Sequence, residues 1–465
     1  MWIPILTGAL AIYVGIVAVI IILQRRSAAA TLAWLLVLAF LPLIGLAIYR
    51  VIGPLRLERK KFKRSANKRV VSDALAALAK LDDETLEHRQ LARVSIKLGE
   101  ASPLRANKVE IFLDGASAYA AMLAAVAAAR HHIHLEYYIW APDQIGTQLR
   151  DALVERARAG VQVRMIVDGT GSSKLRRKFM APLLAAGVEV ARFNPVGFFH
   201  RPDFRTHRKI VVCDGNVGFT GGMNITDPQS ALLSKDYWRD THVLITGIAV
   251  WPLQRLFIED WYFASETACP IDAQMFPAEE TPGEHLAQII GSGPDSDAFA
   301  IHKVIFTAVN QCTTRCWLTT PYFVPDEALL TAIVTAALRD VDVRLIVPKK
   351  GDSRVVDLAA RSYFPELLAA GVRVYEYETR FIHAKTLVCD DDVAIIGTAN
   401  LDNRSFRLNF EVAAVLVGDA PNTKLADAFT EDLGASREIT RDEFERQTFR
   451  RRLGQAGARL ISPLL

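Results

Sequence analysis

The feature that most constrains the fold is an internal duplication. Residues 183–188 read Leu-Leu-Ala-Ala-Gly-Val, and residues 367–372 repeat the same letters. Residues 161–167 match 341–347 as apolar strands, and 133–139 match 317–323 as shorter strands that follow Ala-rich helical stretches. Strands that alternate with helical patterns indicate α/β units whose strands are buried on both faces. The sequence therefore predicts two tandem α/β lobes related by a pseudo-two-fold axis.

Both lobes carry one polar pattern, H-x-K-x4-D-x6-G-x-x-N, without a gap. Its members are His207, Lys209, Asp214 and Asn224 in the first lobe, and His383, Lys385, Asp390 and Asn400 in the second. Alternation along a strand places the histidine and the lysine on one face. The aspartate falls on the other face or in the next turn. We therefore predict that the histidines and lysines face a substrate, while the aspartates fix the strand ends.

Each lobe adds a carboxylate after its asparagine. Asp240 lies seven residues before Gly247, and Glu411 lies seven residues before Gly418, in similar β-like runs. A carboxylate that accepts the Nδ1–H of an imidazole fixes the tautomer of that ring and raises its basicity. One such pattern is often accidental, but two copies at matching places indicate a catalytic site in which Asp240 and Glu411 orient the histidines.

The cysteines give no sign of a metal site. The five cysteines form no C-x2-C pair, and no Cys/His or carboxylate cluster has the spacing of metal ligands. We therefore expect neither a metal nor another cofactor. An odd number of scattered cysteines is typical of a reducing compartment.

The N-terminus is strongly apolar. Residues 3–23 and 27–49 contain no charged side chain, and only residues 24–26 separate the two runs. Each run has the ~20 residues that a helix needs to cross a bilayer. A cleaved signal peptide would have a basic start, a shorter apolar run and no second span directly after it. We therefore predict a two-helix transmembrane hairpin in residues 1–52, rather than a signal sequence or a buried globular hairpin.

The positive charge of the chain is local. The chain has 55 Lys and Arg against 51 Asp and Glu, for a net charge of +4. Residues 50–69 alone carry +8, with nine basic residues and one acid, so the rest of the chain is at −4. This excludes an extended nucleic-acid-binding face. Because basic residues flank the cytoplasmic ends of membrane spans, the large C-terminal part is expected in the cytoplasm.

The predicted organisation has five further segments. They are a basic segment and helical linker at 53–106, with Leu75, Leu78 and Leu81 on one helix face, a first lobe at 107–270, a linker at 271–290 rich in Pro, Gly, Glu and Ser, a second lobe at 291–440 and a tail at 441–465. The first lobe has eight more residues before its histidine, 193–206 against 377–382. This stretch, which includes Phe204, forms either a lip at the site or a packing loop.

The paired motifs resemble those of the HKD phospholipase D superfamily and, within it, the bacterial cardiolipin synthases with two membrane spans. The resemblance covers essentially the whole chain and includes the stretches 41–45, 292–295, 320–326, 400–406, 408–411 and 460–465. The sequence departs from the family at Gly222 and Thr398, where serine is common. The resemblance implies two phospholipase D-like lobes, and a multi-pass protein of the bacterial inner membrane.

The resemblance also implies a reaction. Two phosphatidylglycerol molecules exchange a phosphatidyl group to give cardiolipin and glycerol, with His207 as the nucleophile and His383 as the acid and base. Lys209, Lys385, Asn224 and Asn400 would hold the phosphate oxygens. The expected partners are a phospholipid and a membrane, and no nucleic acid. A hydrolytic phospholipase D, or transfer to another alcohol, remains the alternative. A nuclease or an inactive membrane scaffold fits less well, because the catalytic part is acidic and keeps every His and Lys.

Overall fold

The computed structural model describes residues 2–24, 28–52, 90–106, 108–195, 204–277, 283–295 and 298–462. The chain separates into two compact units. The described residues of the N-terminal unit end at Ile52, and all described residues from Gln90 onward belong to the larger unit. The basic cluster beyond Ile52 and the predicted linker helix with Leu75, Leu78 and Leu81 lie outside the described residues.

The N-terminal unit contains three helices, α1 (Trp2–Leu23), α2 (Ala28–Phe40) and α3 (Pro42–Ile52). The second apolar run thus forms two helices instead of one, since Pro42 has no N–H to continue α2. Trp34 and Tyr49 meet edge to face with ring centroids 5.1 Å apart. Where both backbone and side chains are described, no helix combines the length and the apolar character needed to cross a membrane.

Within residues 90–106, two short elements precede the lobes, α4 (Gln90–Lys97) and β1 (Leu104–Ala106). The first lobe then contains, in chain order, β2 (Lys108–Phe112), α5 (Gly115–Ala128), β3 (His132–Tyr137), α6 (Gln144–Arg158), β4 (Gln162–Asp168), α7 (Arg177–Ala185), β5 (Glu189–Phe193), β6 (Arg205–Thr206), β7 (Lys209–Cys213), β8 (Val217–Gly221), β9 (His242–Thr246) and α8 (Trp251–Ser265).

The second lobe keeps the same order of main strands and helices and adds several short elements. It contains β10 (His285–Ser292), α9 (Ala300–Gln311), β11 (Arg315–Thr319), β12 (Phe323–Val324), α10 (Glu327–Leu338), β13 (Asp342–Pro348), α11 (Arg354–Arg361), α12 (Phe364–Ala369), β14 (Arg373–Tyr377), β15 (Thr386–Cys389), β16 (Val393–Gly397), β17 (Leu401–Asp402), α13 (Asn403–Arg407), β18 (Asn409–Val417) and α14 (Asp419–Gly434). The tail adds β19 (Ser436–Glu438), α15 (Arg441–Glu445) and α16 (Phe449–Leu460).

The two sheets have the same topology. The first has the order β2-β9-β8-β7-β3-β4-β5, and the second has the matching order β10-β18-β16-β15-β11-β13-β14, extended by β1 and β19 at its two edges. In both sheets the three strands that alternate with helices run parallel, and the other pairs of this order are antiparallel. The predicted pair of tandem α/β lobes is confirmed. The residue boundaries assigned to the domains stay predictions.

The sheets are buried on both faces. Along β7, Val211 and Cys213 pack into the outer core of the first lobe, whereas Ile210 and Val212 pack into a core shared by both lobes. Because successive side chains of a strand point to opposite faces, this apolar run fills two cores at once. The shared core joins the two sheets and positions the polar ends of their strands against each other.

Candidate active site

The two histidines lie just before matching strands. His207 follows β6 and precedes β7, and His383 lies three residues before β15. The backbone N–H of His207 donates to the Phe410 carbonyl oxygen at 2.8 Å, and that of His383 donates to the Arg239 carbonyl oxygen at 2.7 Å. Each histidine is therefore tied to the other lobe, at the residue directly before that lobe's carboxylate.

The carboxylates are exchanged between the lobes. His207 Nδ1 lies 3.0 Å from Glu411 Oε2, and His383 Nδ1 lies 2.7 Å from Asp240 Oδ2. Each carboxylate thus orients the imidazole of the opposite lobe. When Nδ1–H donates to the carboxylate, Nε2 keeps a free lone pair.

Both carboxylates are held by further donors. Glu411 accepts from the Thr398 hydroxyl and from Asn409 Nδ2, the latter at 3.1 Å. Asp240 accepts from the Thr241 backbone N–H at 2.7 Å and from Gln229 Nε2 at 3.2 Å. These bonds fix the carboxylate positions before any substrate arrives.

Burial and charge set the protonation states of the imidazoles. Burial lowers the pKa of both His207 and His383 to about 4, against the opposing effect of their carboxylates. Burial alone would raise the pKa of Asp240 and Glu411, but hydrogen bonds from the adjacent histidines and the positive charges of the lysines hold both pKa values below their ordinary values. At neutral pH the site therefore holds two neutral imidazoles on two ionised carboxylates.

Each of the two lysines affects the ionisation of both histidines. Lys209 Nζ donates to the His207 carbonyl oxygen at 2.7 Å, and Lys385 Nζ donates to that of His383. Burial lowers the pKa of Lys209 to about 7 and that of Lys385 to about 8. Lys385 also lowers the pKa of His207, and Lys209 lowers that of His383. The two half-sites therefore form one site at the interface of the lobes.

The asparagines lie beside the histidine strands, with different bonding. Asn224 Oδ1 accepts from the Ile139 backbone N–H at 3.2 Å. The Asn400 backbone N–H donates to Ser405 Oγ at 3.1 Å, and its side-chain Oδ1 is buried without a partner among the described residues. Matching sequence positions have thus acquired different neighbours.

The motif aspartates lie in turns at the far ends of the strands. Asp214 Oδ1 accepts from the backbone N–H groups of His131 and His132, at 2.8 and 2.9 Å. Asp390 Oδ1 accepts from those of Thr314 and Arg315, at 2.8 and 3.1 Å. In each lobe the aspartate thus connects the turn after the motif strand to the start of the neighbouring strand. Both aspartates lie away from the motif histidines, His207 and His383.

Aromatic side chains that the motif analysis did not single out line the histidines. The Tyr138 ring centroid lies 5.1 Å from that of His207, and the Trp238 centroid lies 5.3 Å from that of His383. The pairing of β3 with β7 explains the position of Tyr138, because it aligns the preceding residue, Tyr137, with Lys209. Phe204 is fully buried and packs in the interior. Residues 196–203 of the extra stretch lie outside the described residues.

The fold and the site define a phospholipase D-like enzyme with both half-sites in one chain. The family model described as "Cardiolipin synthase, PLD-like domain" matches residues 122–245 and 305–433. A second model, described as a phospholipase D-nuclease N-terminal region, matches residues 14–54. The chain belongs to the cardiolipin synthase family, and it is a phosphatidyltransferase.

Named relatives extend this assignment over the full length. A cardiolipin synthase of Alkalihalophilus pseudofirmus is 40% identical, covering 98% of this chain and 92% of the relative. One of Geobacillus kaustophilus is 40% identical, covering 97% and 91%. The crystal structure of a phosphatidylserine synthase from Haemophilus influenzae has a TM-score of 0.61 and 13% identity, covering 81% of this chain and all of that one. This last likeness supports the fold alone.

Proposed function

We propose that the chain converts two phosphatidylglycerol molecules into cardiolipin and glycerol through a phosphatidyl-histidine intermediate. The observation that carries this proposal is the exchanged pair of histidine–carboxylate bonds, at 3.0 and 2.7 Å. They give one buried site two oriented imidazoles with free Nε2 lone pairs. A double displacement at phosphorus needs a nucleophile and a separate proton carrier, and the two rings supply both.

In the first half-reaction, His207 Nε2 attacks phosphorus and forms an N–P bond. The P–O bond to the glycerol headgroup breaks, and His383 gives its proton to the departing oxygen. The free site holds His383 neutral, with its pKa lowered by burial to about 4. An anionic phosphodiester beside the ring opposes that effect, since a nearby negative charge favours the imidazolium. Substrate binding therefore favours the protonated form of His383, which can act as the acid.

In the second half-reaction, the terminal glycerol hydroxyl of another phosphatidylglycerol attacks phosphorus. His383, which is neutral after the first step, accepts the hydroxyl proton. The N–P bond breaks, its electron pair returns to His207, and cardiolipin is released. The same ring thus acts as an acid and then as a base, and the overall exchange consumes no proton.

The lysines and asparagines would stabilise the charge that develops on the phosphate oxygens. Lys209 and Lys385 are buried and held by carbonyl oxygens, so little reorganisation accompanies the reaction. Asn224 has its oxygen bound to the backbone, which leaves its Nδ2 hydrogens for a phosphate oxygen. Asp214 and Asp390 act indirectly, by holding the strands that carry the lysines.

Product analysis tests the proposed reaction. The purified chain is mixed with phosphatidylglycerol alone, without nucleotide or added metal, and lipid and water-soluble products are quantified. We expect cardiolipin and glycerol in equal amounts, and neither in a His207→Ala/His383→Ala control. Phosphatidic acid as the main product would identify a hydrolase instead. A requirement for a cytidine-activated lipid would overturn the transfer between two phosphatidylglycerols.

We also propose that the N-terminal unit is a membrane hairpin and that the larger unit faces the cytoplasm. The uncharged runs and the outward apolar side chains support this proposal, among them Ile12, Phe40 and Leu43, which are 67%, 78% and 69% exposed. Added protease should leave residues 107–440 uncut in intact spheroplasts and cut them after lysis. Cleavage in intact spheroplasts would show that the larger unit faces away from the cytoplasm. Extraction of the whole chain by alkaline carbonate would contradict the membrane hairpin.

A further inference from the structure

Helix α16 presents its apolar side chains to solvent. Phe449, Leu453 and Leu460 are 77%, 60% and 83% exposed, while Gln455 and Ala458 are buried. Spacings of four and seven residues place the three exposed side chains on one face of the helix. A surface helix of a globular protein normally directs its apolar face to the core. In α16 the orientation is reversed, so its outward face is suited to an apolar surrounding.

Arginines flank this apolar face. On a helix with 3.6 residues per turn, Arg450 falls on one side of the stripe and Arg452 falls on the other. Arg459 lies on the same side as Arg452, where it pairs with Glu366 and packs over the Tyr363 ring. Residues 446–461 contain five arginines and no acidic side chain. Outside residues 50–69 the chain as a whole carries a net charge of −4. The helix is therefore a local basic surface on a largely acidic unit.

The helix ends close to the active-site loops. The Ser462 carbonyl oxygen, just beyond α16, accepts from Asn403 Nδ2 at 3.4 Å. Asn403 begins α13, three residues after Asn400. Ser462 Oγ also lies 3.2 Å from the Tyr363 hydroxyl. The C-terminal end of α16 therefore lies beside the short helix that follows Asn400.

We propose that the outward face of α16 lies on an anionic phospholipid surface. The apolar stripe of Phe449, Leu453 and Leu460 enters the boundary between headgroups and acyl chains. Arg450 and Arg452, on the two sides of the stripe, pair with lipid phosphates. A helix with an apolar stripe between basic flanks binds such surfaces through both contributions. The inference deepens the proposed function, because it names the surface on which the catalytic unit meets its anionic substrate.

A fluorophore on the helix tests this contact directly. All five native cysteines are buried, so an exposed cysteine at Ala456→Cys can be labelled selectively with a polarity-sensitive dye in the full chain. Leu338→Cys, on the exposed end of α10, is the control. We expect a blue-shifted emission at position 456 on vesicles of phosphatidylglycerol and phosphatidylcholine, and no shift at 338. Emission at 456 that is unchanged, or equally shifted on phosphatidylcholine alone, would overturn the proposal.

A charge-matched pair of variants tests the arginines. Arg450→Gln/Arg451→Gln/Arg452→Gln removes three exposed charges from the surface, and Arg176→Gln/Arg177→Gln/Lys178→Gln removes three from the start of α7. The first triple should raise the mole fraction of phosphatidylglycerol needed for half-maximal rate by about threefold or more, with the saturated rate unchanged. The α7 triple should match the parent. Equal behaviour of both triples would contradict the inference.

The other possible occupants of the face give different results. A second copy of the chain would shift the dye in detergent without phosphatidylglycerol, and the shift would grow with protein concentration. That result would show that the outward face of α16 contacts a second copy of the chain and not a lipid surface. Failure of the membrane hairpin appears separately, as loss of the whole chain from vesicles in carbonate. Failure of the proposed reaction appears only in the products.

Discussion

In the second lobe, the Glu411 carboxylate accepts from the side chains of Thr398 and Asn409, whereas Asp240 in the first lobe accepts from a backbone N–H and from Gln229. The position that holds Thr398 is Gly222 in the first lobe. A Cβ atom at Gly222 would lie 2.0 Å from Asp240 Oδ1. The duplicated motif thus keeps its histidines and lysines, while the support of each carboxylate has diverged.

The packing beneath the lysines has diverged as well. Lys385 borders a small pocket whose lining includes Ala399 and Ala413. The corresponding positions in the first lobe, counted from the motif histidine and from the carboxylate, hold the larger Met223 and His242. At these two positions the first lobe therefore carries the larger side chains. The motif histidines and lysines are thus the same in both lobes, whereas these neighbouring positions differ.

The largest expected difference between the half-sites concerns the histidines. His207→Ala and His383→Ala should each reduce turnover by about 10⁴-fold. A phosphatidyl substrate with a good leaving group needs no proton on departure, so it should still label His383→Ala but not His207→Ala. The adduct should persist in His383→Ala and should be acid-labile and base-stable, as a phosphoramidate is. Labelling in the reverse pattern would exchange the two roles, and labelling in both variants would exclude the covalent step.

The exchanged carboxylates predict a smaller, crossed effect. Glu411→Gln, a change in the second lobe, should slow labelling of His207 in the first lobe. Asp240→Asn, a change in the first lobe, should leave labelling by the activated substrate intact but slow release of the adduct. Loss of an orienting carboxylate should reduce turnover roughly 10- to 100-fold less than loss of a histidine does. Effects confined to the lobe of each mutation would contradict the exchange.

The Gly222 and Thr398 pair predicts an asymmetry of about tenfold. Gly222→Ala forces the Asp240 carboxylate or its strand to move, and so should slow turnover as Asp240→Asn does. Thr398→Gly removes one of the hydrogen bonds to Glu411, but Asn409 and His207 still hold that carboxylate, so the loss should be about tenfold less. The two turnover rates on one substrate preparation provide the check. Equal losses would mean that the two positions have the same role.

The smallest expected difference lies in the alkaline limb of the pH profile. Buried lysines lose their charge as the pH rises through their lowered pKa values, about 7 for Lys209 and about 8 for Lys385, and phosphate binding weakens. A guanidinium keeps its charge in this range. The alkaline limb of the kcat/KM profile should therefore move to higher pH in Lys209→Arg, because the lysine that titrates first is gone. In Lys385→Arg the limb should stay near its position in the parent enzyme, because Lys209 still titrates first. An identical limb in both variants would show that the lysines do not titrate separately.

The sequence by itself determined the parts of this enzyme that are encoded locally. The repeated hexapeptide and matching strands predicted two α/β lobes, and the spacing of Lys209 and Asp214 predicted a strand followed by a turn. His207 lies just before that strand and not on it. These features depend on residues a few positions apart, where strand periodicity decides which side chains share a face. The Pro42 break in the second apolar run has an equally local cause, although the run was predicted as one helix.

Only the tertiary structure decided which carboxylate serves which histidine. His207 and Glu411 are 204 residues apart in the chain, and His383 and Asp240 are 143 apart. Spacing within one repeat fits pairing inside a lobe as well as pairing across the two. Parallel pairing of β6 with β18, and of Arg239 with Ile382, brings each histidine to the other lobe's carboxylate. The exchange follows from packing the two sheets face to face, because their shared core fixes which strand ends meet.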